Sequence, residues 1–148
     1  FDPGINALSI ASRIAPGRLI VDDAVLRVPA NREQPIVVRL TLSSPAADGS
    51  LSAVFDWCPT GEDEWTIEIE TGDGRVLRLE RGGAALLVDG VAQLATGPGE
   101  YPSIYAEFAE LIAKRRSHVD PEPLRLVADA LMIARREAAP AFAWEESP

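Results

Sequence analysis

Residues 65–80 read WTIEIETGDGRVLRLE, and this stretch decides the fold class that the sequence predicts. Apolar and polar side chains alternate from Trp65 to Glu70, which is the two-residue period of a half-buried strand. Gly72-Asp73-Gly74 then forms the strongest hairpin signal in the chain. A second strand pattern runs from Arg75 to Glu80, so the stretch predicts two antiparallel strands joined by a tight turn.

Similar short strand patterns occur on both sides of this hairpin. They lie at residues 19–21, 24–28, 36–42, 51–57 and 85–88, and a further short hairpin is predicted around residues 89–91. Short turns connect them, which predicts one open-faced, mainly antiparallel sheet of about six or seven strands. Glutamate and arginine share the polar side of the central hairpin, so we expect cross-strand Glu–Arg pairs.

Two tryptophans, Trp57 and Trp65, stand near the ends of strand patterns that a short turn joins. We therefore expect the two indoles to lie near each other across a hairpin. Packing in a core or an interface is one interpretation, and a platform on which a sugar ring stacks is the other.

Helical patterns flank the strands. The first begins at Asp2-Pro3 and stops before Pro16-Gly17, since aspartate suits an N-cap and proline suits the first helical position. The second runs from Tyr101 to Arg116, and its wide apolar stripe predicts packing against the sheet. The third begins at Asp120-Pro121 and is predicted to end at Arg135-Arg136. The order predicts a single α+β domain over residues 1–148, with helices on one sheet face.

Asn6 follows Asp2 by four residues, so a helix would place both side chains on the same face, one turn apart. From the spacing alone, a capped amphipathic helix with an ordinary exposed asparagine is the favoured interpretation. The alternative is a pair of polar groups that faces a ligand.

Composition excludes several classes of function. The 148-residue chain has a formal net charge of −9, which argues against nucleic acid or an anionic membrane as partner. The single cysteine, Cys58, and the single histidine, His118, offer no zinc-ligand set. No apolar run approaches a membrane span and no signal peptide is visible, so we expect a cytoplasmic protein. A start at Phe1-Asp2-Pro3 is expected for a piece of a longer protein.

Motifs of known chemistry are scarce. Gly72-Asp73-Gly74 and Gly82-Gly83 do not join a strand to a helix, so no dinucleotide-binding loop is predicted. The sequence contains no nucleophile elbow. The carboxylates on the strands alternate with apolar residues and are interpreted as a solvated face. Lys114-Arg115-Arg116 is interpreted as positive charge at a helix C-terminus.

Three segments nevertheless resemble a known family. FDPGINAL at residues 1–8, GEYPSIYAEF at residues 99–108 and PLRLVADA at residues 123–130 resemble the C-terminal domain of the glucose–fructose oxidoreductase / inositol dehydrogenase family. Within that family the chain is most similar to the sugar 1-dehydrogenases that act on D-galactose and L-arabinose. The resemblance covers essentially the whole chain.

The resemblance implies a two-domain parent enzyme. A Rossmann domain, absent from this chain, would bind NAD or NADP and supply a catalytic lysine, and no metal is implied. The C-terminal domain, of the dihydrodipicolinate-reductase-like fold, would cover the aldopyranose and form homodimers through its sheet face. Oxidation at C1 of a sugar such as D-galactose or L-arabinose would give the aldonolactone.

The resemblance also assigns roles to individual residues. Asp2 matches a family aspartate near the reacting carbon, and Asn6 replaces a family histidine. Because an amide cannot take up a proton, Asn6 would only orient the sugar. Proton removal would fall to the missing lysine, or to Asp2 acting with it. Trp65 and Trp57 are further candidates for sugar contacts. The isolated chain is expected to be inactive; a non-catalytic binding or dimerisation module, or another oxidoreductase reaction of the family, are the alternatives.

Overall fold

A computed structural model describes residues 2–57, 64–94 and 99–143, with the backbone alone at Asp2 and Pro3. The helices are α1 (Asp2–Ile14), α2 (Glu100–Ala113) and α3 (Glu122–Ile133). The strands are β1 (Ile20–Pro29), β2 (Val37–Ser43), β3 (Leu51–Asp56), β4 (Thr66–Glu70), β5 (Val76–Glu80), β6 (Ala85–Val88), β7 (Val91–Gln93) and β8 (Arg135–Ala139). They fall into a first unit, Phe1–Glu62 with Pro121–Pro148, and a second unit, Asp63–Asp120. The predicted α+β class is confirmed, and a single domain over residues 1–148 stays a prediction.

The first unit is built on a four-stranded sheet in the order β3-β2-β1-β8. Its three antiparallel strands carry apolar rows on one face: Val21–Leu42–Leu51, Ala24–Leu40–Ala53 and Leu26–Val38–Phe55. The register of β1 shifts between Val21 and Asp23. This irregularity lets Val21 and Ala24, three positions apart, both be buried.

Helices α1 and α3 cover this apolar face. Leu8 of α1 and Leu126 and Ala130 of α3 join the core that the sheet residues Ala24 and Leu40 begin. Leu126 is fully buried, and burying a leucine side chain contributes about 1.5–3 kcal/mol. Helices α1 and α3 on one face of a mainly antiparallel sheet confirm part of the predicted arrangement. The predicted packing of α2 on the sheet is wrong, because α2 contains no buried residue.

Arg125 anchors the start of α3 to the chain before β1. Its Nη2 donates to the carbonyl oxygen of Leu19 at 2.6 Å and to Glu122 at 2.8 Å, and its Nη1 donates to Asp129. The hydrogen bond from Arg125 lowers the pKa of Glu122, and the carboxylate of Glu122 in turn raises the pKa of Arg125. The guanidinium therefore joins two turns of α3 to a backbone group more than a hundred residues earlier in the chain.

The second unit contains the other four-stranded sheet, in the order β4-β5-β6-β7. Its strands pair antiparallel, and Glu68 stands opposite Arg78 with Nη1 of Arg78 3.8 Å from Oε2 of Glu68. This confirms the predicted hairpin and the predicted Glu–Arg pairing. In the hairpin turn the hydroxyl of Thr71, and then Arg75, lower the pKa of Asp73. The hairpin of β6 and β7 turns through Asp89 and Gly90, both with positive φ, as its sequence predicts.

Helix α2 ends at Ala113, before the predicted end at Arg116. Lys114 is the C-cap and Arg115 has a φ of 49°, which lies in the left-handed region. The amide of Arg116 donates to the oxygen of Leu111 at 3.0 Å, and the amide of Arg115 to Ile112 at 3.1 Å. These two bonds form a Schellman motif, so the helix ends just before the basic cluster, and Lys114 is its C-cap.

Three expectations are corrected. The third helix ends at Ile133, and Arg135–Ala139 forms β8, which pairs parallel to β1. The sequence prediction missed β8 because its charged residues show no strand alternation. The strands form two hydrogen-bonded sheets, one in each unit, where the sequence predicted one continuous meander. Accordingly Trp57 and Trp65 do not face each other across a hairpin, since β3 pairs with β2 and β4 with β5.

Candidate functional site

The N-terminal turns of α1 carry the first two site candidates. Asn6 is exposed, and the Asp2 side chain lies outside the described part of the structure. On the other side of this turn Gly4 approaches the sheet: a Cβ at Gly4 would stand 3.7 Å from the ring of Phe55. The helix therefore presents Asn6 to solvent while its neighbours pack on the apolar rows.

An apolar groove of about 530 Å³ lies in the first unit, between α1, α3 and the end of the sheet. The row Leu26–Val38–Phe55 forms part of its lining. Trp57, which is 40% exposed, and Phe142 also line it. Asn6 is not among the lining residues, so the structure does not bring Trp57 and Asn6 into one pocket.

The C-terminal segment contributes Phe142 to this groove. Asn31 holds Phe142 by its backbone, and the guanidinium of Arg32 lies 5.9 Å from the centre of the Phe142 ring. Sequence reasoning did not predict this contribution, because the tail carries no periodic pattern and the contact spans 111 residues.

Trp65 stands in a different pocket, of about 310 Å³, within the second unit. Its other lining residues are Glu64, Thr66, Arg78, Glu80, Arg81 and Gly82. Oε1 of Glu64 accepts hydrogen bonds from the hydroxyl of Thr66 at 3.1 Å and from Nη2 of Arg78 at 3.5 Å. Nε of Arg78 lies 2.8 Å from Oε1 of Glu80, but it forms no hydrogen bond that meets the usual geometry. An indole beside oriented charged groups can stack on an apolar ring face and bond to hydroxyl groups.

The polar partners of Trp65 were not predicted as site residues. The alternation placed Thr66, Arg78 and Glu80 on a solvated face, whereas Trp65 lies one residue before β4 begins. Alternation does not constrain a side chain outside the strand. Trp65 therefore comes close to the charged residues only at the edge of the folded hairpin. The alternating Glu and Arg residues were the only signal in the sequence for this pocket.

The described ranges contain neither a cluster of metal-ligand residues nor a helix that could cross a membrane. Across residues 2–57, 64–94 and 99–143, no group of three histidine, cysteine, aspartate or glutamate residues could hold a metal ion. Among the helices of these ranges, none has both the length and the apolar character that crossing a bilayer requires. Cys58 lies outside the described residues.

The chain is similar to galactose 1-dehydrogenases over nearly its whole length. A galactose 1-dehydrogenase from Pseudomonas fluorescens is 43% identical over 142 residues, which are 96% of this chain and 46% of that protein. The crystal structure of a D-galactose-1-dehydrogenase protein from Rhizobium etli matches 96% of this chain and 45% of its own, at 44% identity and a TM-score of 0.86. This chain is similar to the C-terminal part of galactose 1-dehydrogenases. The resemblance to sugar dehydrogenases stated from the sequence is thereby confirmed.

The similarity to galactose 1-dehydrogenase covers nearly all of this chain but less than half of each relative. The chain spans about half the length of these relatives. KijD10, a 3-ketoreductase from Actinomadura kijaniata, matches with a TM-score of 0.67 at 16% identity over 93% of this chain and 47% of its own, which shows a shared fold alone. No protein-family model matches the sequence.

Proposed function

We propose that this chain is the substrate-binding and oligomerisation domain of an NAD(P)-dependent aldose 1-dehydrogenase. The parent enzyme oxidises a sugar such as D-galactose or L-arabinose at C1 to the aldonolactone. The observation that carries this proposal is the 43% identity to a galactose 1-dehydrogenase over 96% of the chain. The TM-score of 0.86 to a second galactose 1-dehydrogenase supports it.

In the proposed site, Asp2 and Asn6 contact the sugar from the start of α1. Asn6 is exposed there, as a residue that meets a ligand from outside this chain must be. Its amide can donate to one sugar hydroxyl and accept from another, which orients the ring without moving a proton. Asp2 is then the proton partner that this chain contributes.

Trp65 and Trp57 are the proposed aromatic contacts. Trp65 has the stronger support, because its pocket combines an indole with Glu64, Arg78 and Glu80, the mixture of apolar and charged groups that suits a polyol. Trp57 lines a groove whose other residues are mainly apolar, including Phe55 and Leu131. It offers a stacking surface with fewer hydrogen-bonding groups.

The cofactor is proposed to bind outside this chain. A Gly-x-Gly-x-x-Gly loop between strand and helix is the usual pyrophosphate site, and the sequence has none. NAD or NADP, when bound, accepts the hydride from the sugar. The residues of this chain hold the sugar in position and supply a carboxylate beside it.

Assembly and location complete the proposal. We propose a cytoplasmic homodimer that forms through a sheet face. The polar face of β4 carries the exposed Glu68 and Glu70, which lie outside the Trp65 pocket, and such a surface suits a polar, partly wet interface. A mass that stays monomeric for the full-length protein at high concentration would contradict the dimer.

The decisive experiment uses the full open reading frame that contains this chain. Purified protein is assayed with NAD and with NADP against D-galactose, L-arabinose, D-fucose and D-glucose, and lactone formation is measured. We expect oxidation by the full-length protein and none by residues 1–148 alone. No oxidation of any aldose by the full-length protein would contradict the proposed function. Oxidation by the isolated chain would contradict the proposal that the cofactor binds outside this chain.

The role of Asn6 has its own test in that assay. Asn6→Ala should lower kcat/KM roughly tenfold or more, since a buried hydroxyl partner is lost in the complex, and should leave the pH profile unchanged. Arg13→Ala, an exposed change at the other end of α1, serves as the matched control. Equal activity of both variants would remove Asn6 from the site.

Other functions remain as alternatives. One is a non-catalytic binding or dimerisation module that keeps the sheet, and the other is a different oxidoreductase reaction of the same family. The reading frame upstream of Phe1 separates the first from an enzyme: a Gly-x-Gly-x-x-Gly loop and a Glu-Lys-Pro segment favour the dehydrogenase. The aldose panel tests the second alternative: a full-length protein that oxidises no aldose at C1 would favour another reaction of the family.

A further inference from the structure

Helix α2 exposes its apolar stripe. The stripe consists of Tyr101, Ile104, Tyr105, Phe108 and Ile112, whose exposed fractions are 67%, 49%, 68%, 61% and 61%. The structure describes α2 in full, and the helix contains no buried residue. At helical spacing these five side chains lie on one face, and the opposite face presents Ser103, Ala106 and Glu110.

The exposure is unfavourable for a helix in water. A 14-residue helix is marginal in isolation, and most helical stability in proteins comes from packing of the apolar face. The described polar contacts of the helix are those of Ser103 with Gly99, Lys114 with Glu110 and Glu107 with His118, and none of them covers the apolar stripe. Five large exposed apolar side chains on one face are typical of a surface that packs against another domain or another protein.

We propose that the α2 stripe docks against the cofactor-binding half of the full-length protein. The proposal rests on the proposed function, because it requires that half to be present. The relatives that match this chain are about twice its length, so in them an additional half is available to cover the helix. The stripe is rich in tyrosine, phenylalanine and isoleucine and free of charge, which is the composition of a buried interface core.

Two other occupants fit the stripe less well. A second copy of the chain is already proposed for the sheet face of β4, which does not include α2. An anionic membrane would require basic residues along the flanks of the stripe, and the flanks carry Glu100 and Glu107. A covalently linked domain, in contrast, meets the stripe at high effective concentration.

Hydrogen exchange tests the docking directly. The amides of residues 104–113 are followed by mass spectrometry in the full-length protein and in residues 1–148 alone. We expect exchange at least about tenfold slower in the full-length protein, which corresponds to about 1.4 kcal/mol of added local stability. Equal exchange in both polypeptides overturns the proposal, and so does protection of the isolated chain that grows with its concentration, which would identify a second copy.

Two matched substitutions locate the contact. Phe108→Asp places a charge on the stripe, and Ala106→Asp places the same charge on the opposite, exposed face of α2. In the full-length protein Phe108→Asp should remove the added protection, whereas Ala106→Asp should keep it. Equal protection in the two variants overturns the assignment of this face. Because Phe108 is already 61% exposed in the chain, its change should not unfold residues 1–148, and circular dichroism of that chain checks this.

The outcome is independent of catalysis. If the α2 amides are protected in the full-length protein but no aldose is oxidised, the docking proposal is supported and the proposed reaction is contradicted. Full-length protein that oxidises an aldose while α2 exchanges freely would keep the reaction and contradict the docking surface.

Discussion

The side chain of Asn31 forms with the backbone of Phe142 the pair of hydrogen bonds that a residue of a neighbouring strand would form. Its Nδ2 donates to the carbonyl oxygen of Phe142 at 2.9 Å, and its Oδ1 accepts from the amide of Phe142 at 2.8 Å. The pair continues the connection between β1 and β8, in which the amide of Ala30 donates to Ala139 at 3.2 Å. One side chain thus fixes the C-terminal segment beside the apolar groove.

Removing this clamp should destabilise the first unit. Asn31→Ala loses both bonds, and we expect the free energy of unfolding to fall by about 1 kcal/mol, because the pair is exposed to water. Asn31→Asp keeps the acceptor for the Phe142 amide and should lose less. Urea unfolding followed by circular dichroism measures both variants. A loss for Asn31→Asp as large as that for Asn31→Ala would contradict the two-bond account.

Arg125 should matter more than the neighbouring Arg18, although both contact Glu122. Arg125→Met removes a 2.6 Å bond to the Leu19 carbonyl in a partly buried setting, so we expect a loss of about 1.5–3 kcal/mol. Arg18 makes a 3.4 Å contact and its side chain is 62% exposed, so Arg18→Met should change stability by less than about 0.5 kcal/mol. Equal losses in urea unfolding would show that the Leu19 contact contributes little.

The stability of the chain should fall in acid partly through Glu122. Its pKa is lower in the folded protein than the ordinary glutamate value of 4.5, chiefly because Arg125 donates to the carboxylate. The contribution is therefore complete above 4.5 and is lost as pH falls through the lowered pKa. Glu122→Gln should flatten the pH dependence of the melting temperature below 4.5. An unchanged slope in that window would contradict the linkage.

Two glycines should respond oppositely to alanine. Gly4 is helical, and its added Cβ would make an ordinary 3.7 Å contact with Phe55, so Gly4→Ala should stabilise the protein by up to about 1 kcal/mol. Gly17 has a φ of +92°, and its Cβ would lie 3.3 Å from Cβ of Ala46. Gly17→Ala should therefore destabilise it. Thermal melts of the two variants that shift in the same direction would contradict this reading of the backbone.

Trp65 should affect sugar binding through its indole face. In the full-length protein we expect Trp65→Leu to raise KM for the preferred aldose roughly tenfold and Trp65→Phe to raise it less, since phenylalanine keeps an aromatic face. Steady-state kinetics on both variants measures the difference. Equal KM values for leucine and phenylalanine would show that stacking is not the contact.

The sequence determined the local elements of this protein. Alternation at Trp65–Glu70 and Val76–Glu80 predicts β4, β5 and their turn, because a strand's side-chain period and the φ values at its turn are local properties. The caps and prolines similarly predict α1 and the start of α3 to within two residues. The resemblance carried by residues 1–8 and 100–108 was sequence information too, and the identity to galactose 1-dehydrogenase confirms it.

Tertiary structure alone decided which elements pair and which residues share a pocket. Arg135–Ala139 has no strand pattern, yet it forms β8 because its backbone pairs with β1, a contact between segments more than a hundred residues apart. Phe142 reaches the groove through Asn31 for the same reason, and Trp57 and Trp65 stand in different pockets because β3 and β4 pair in different sheets. Local propensity is a property of each segment, whereas pairing depends on the partners that the folded chain brings within hydrogen-bonding distance.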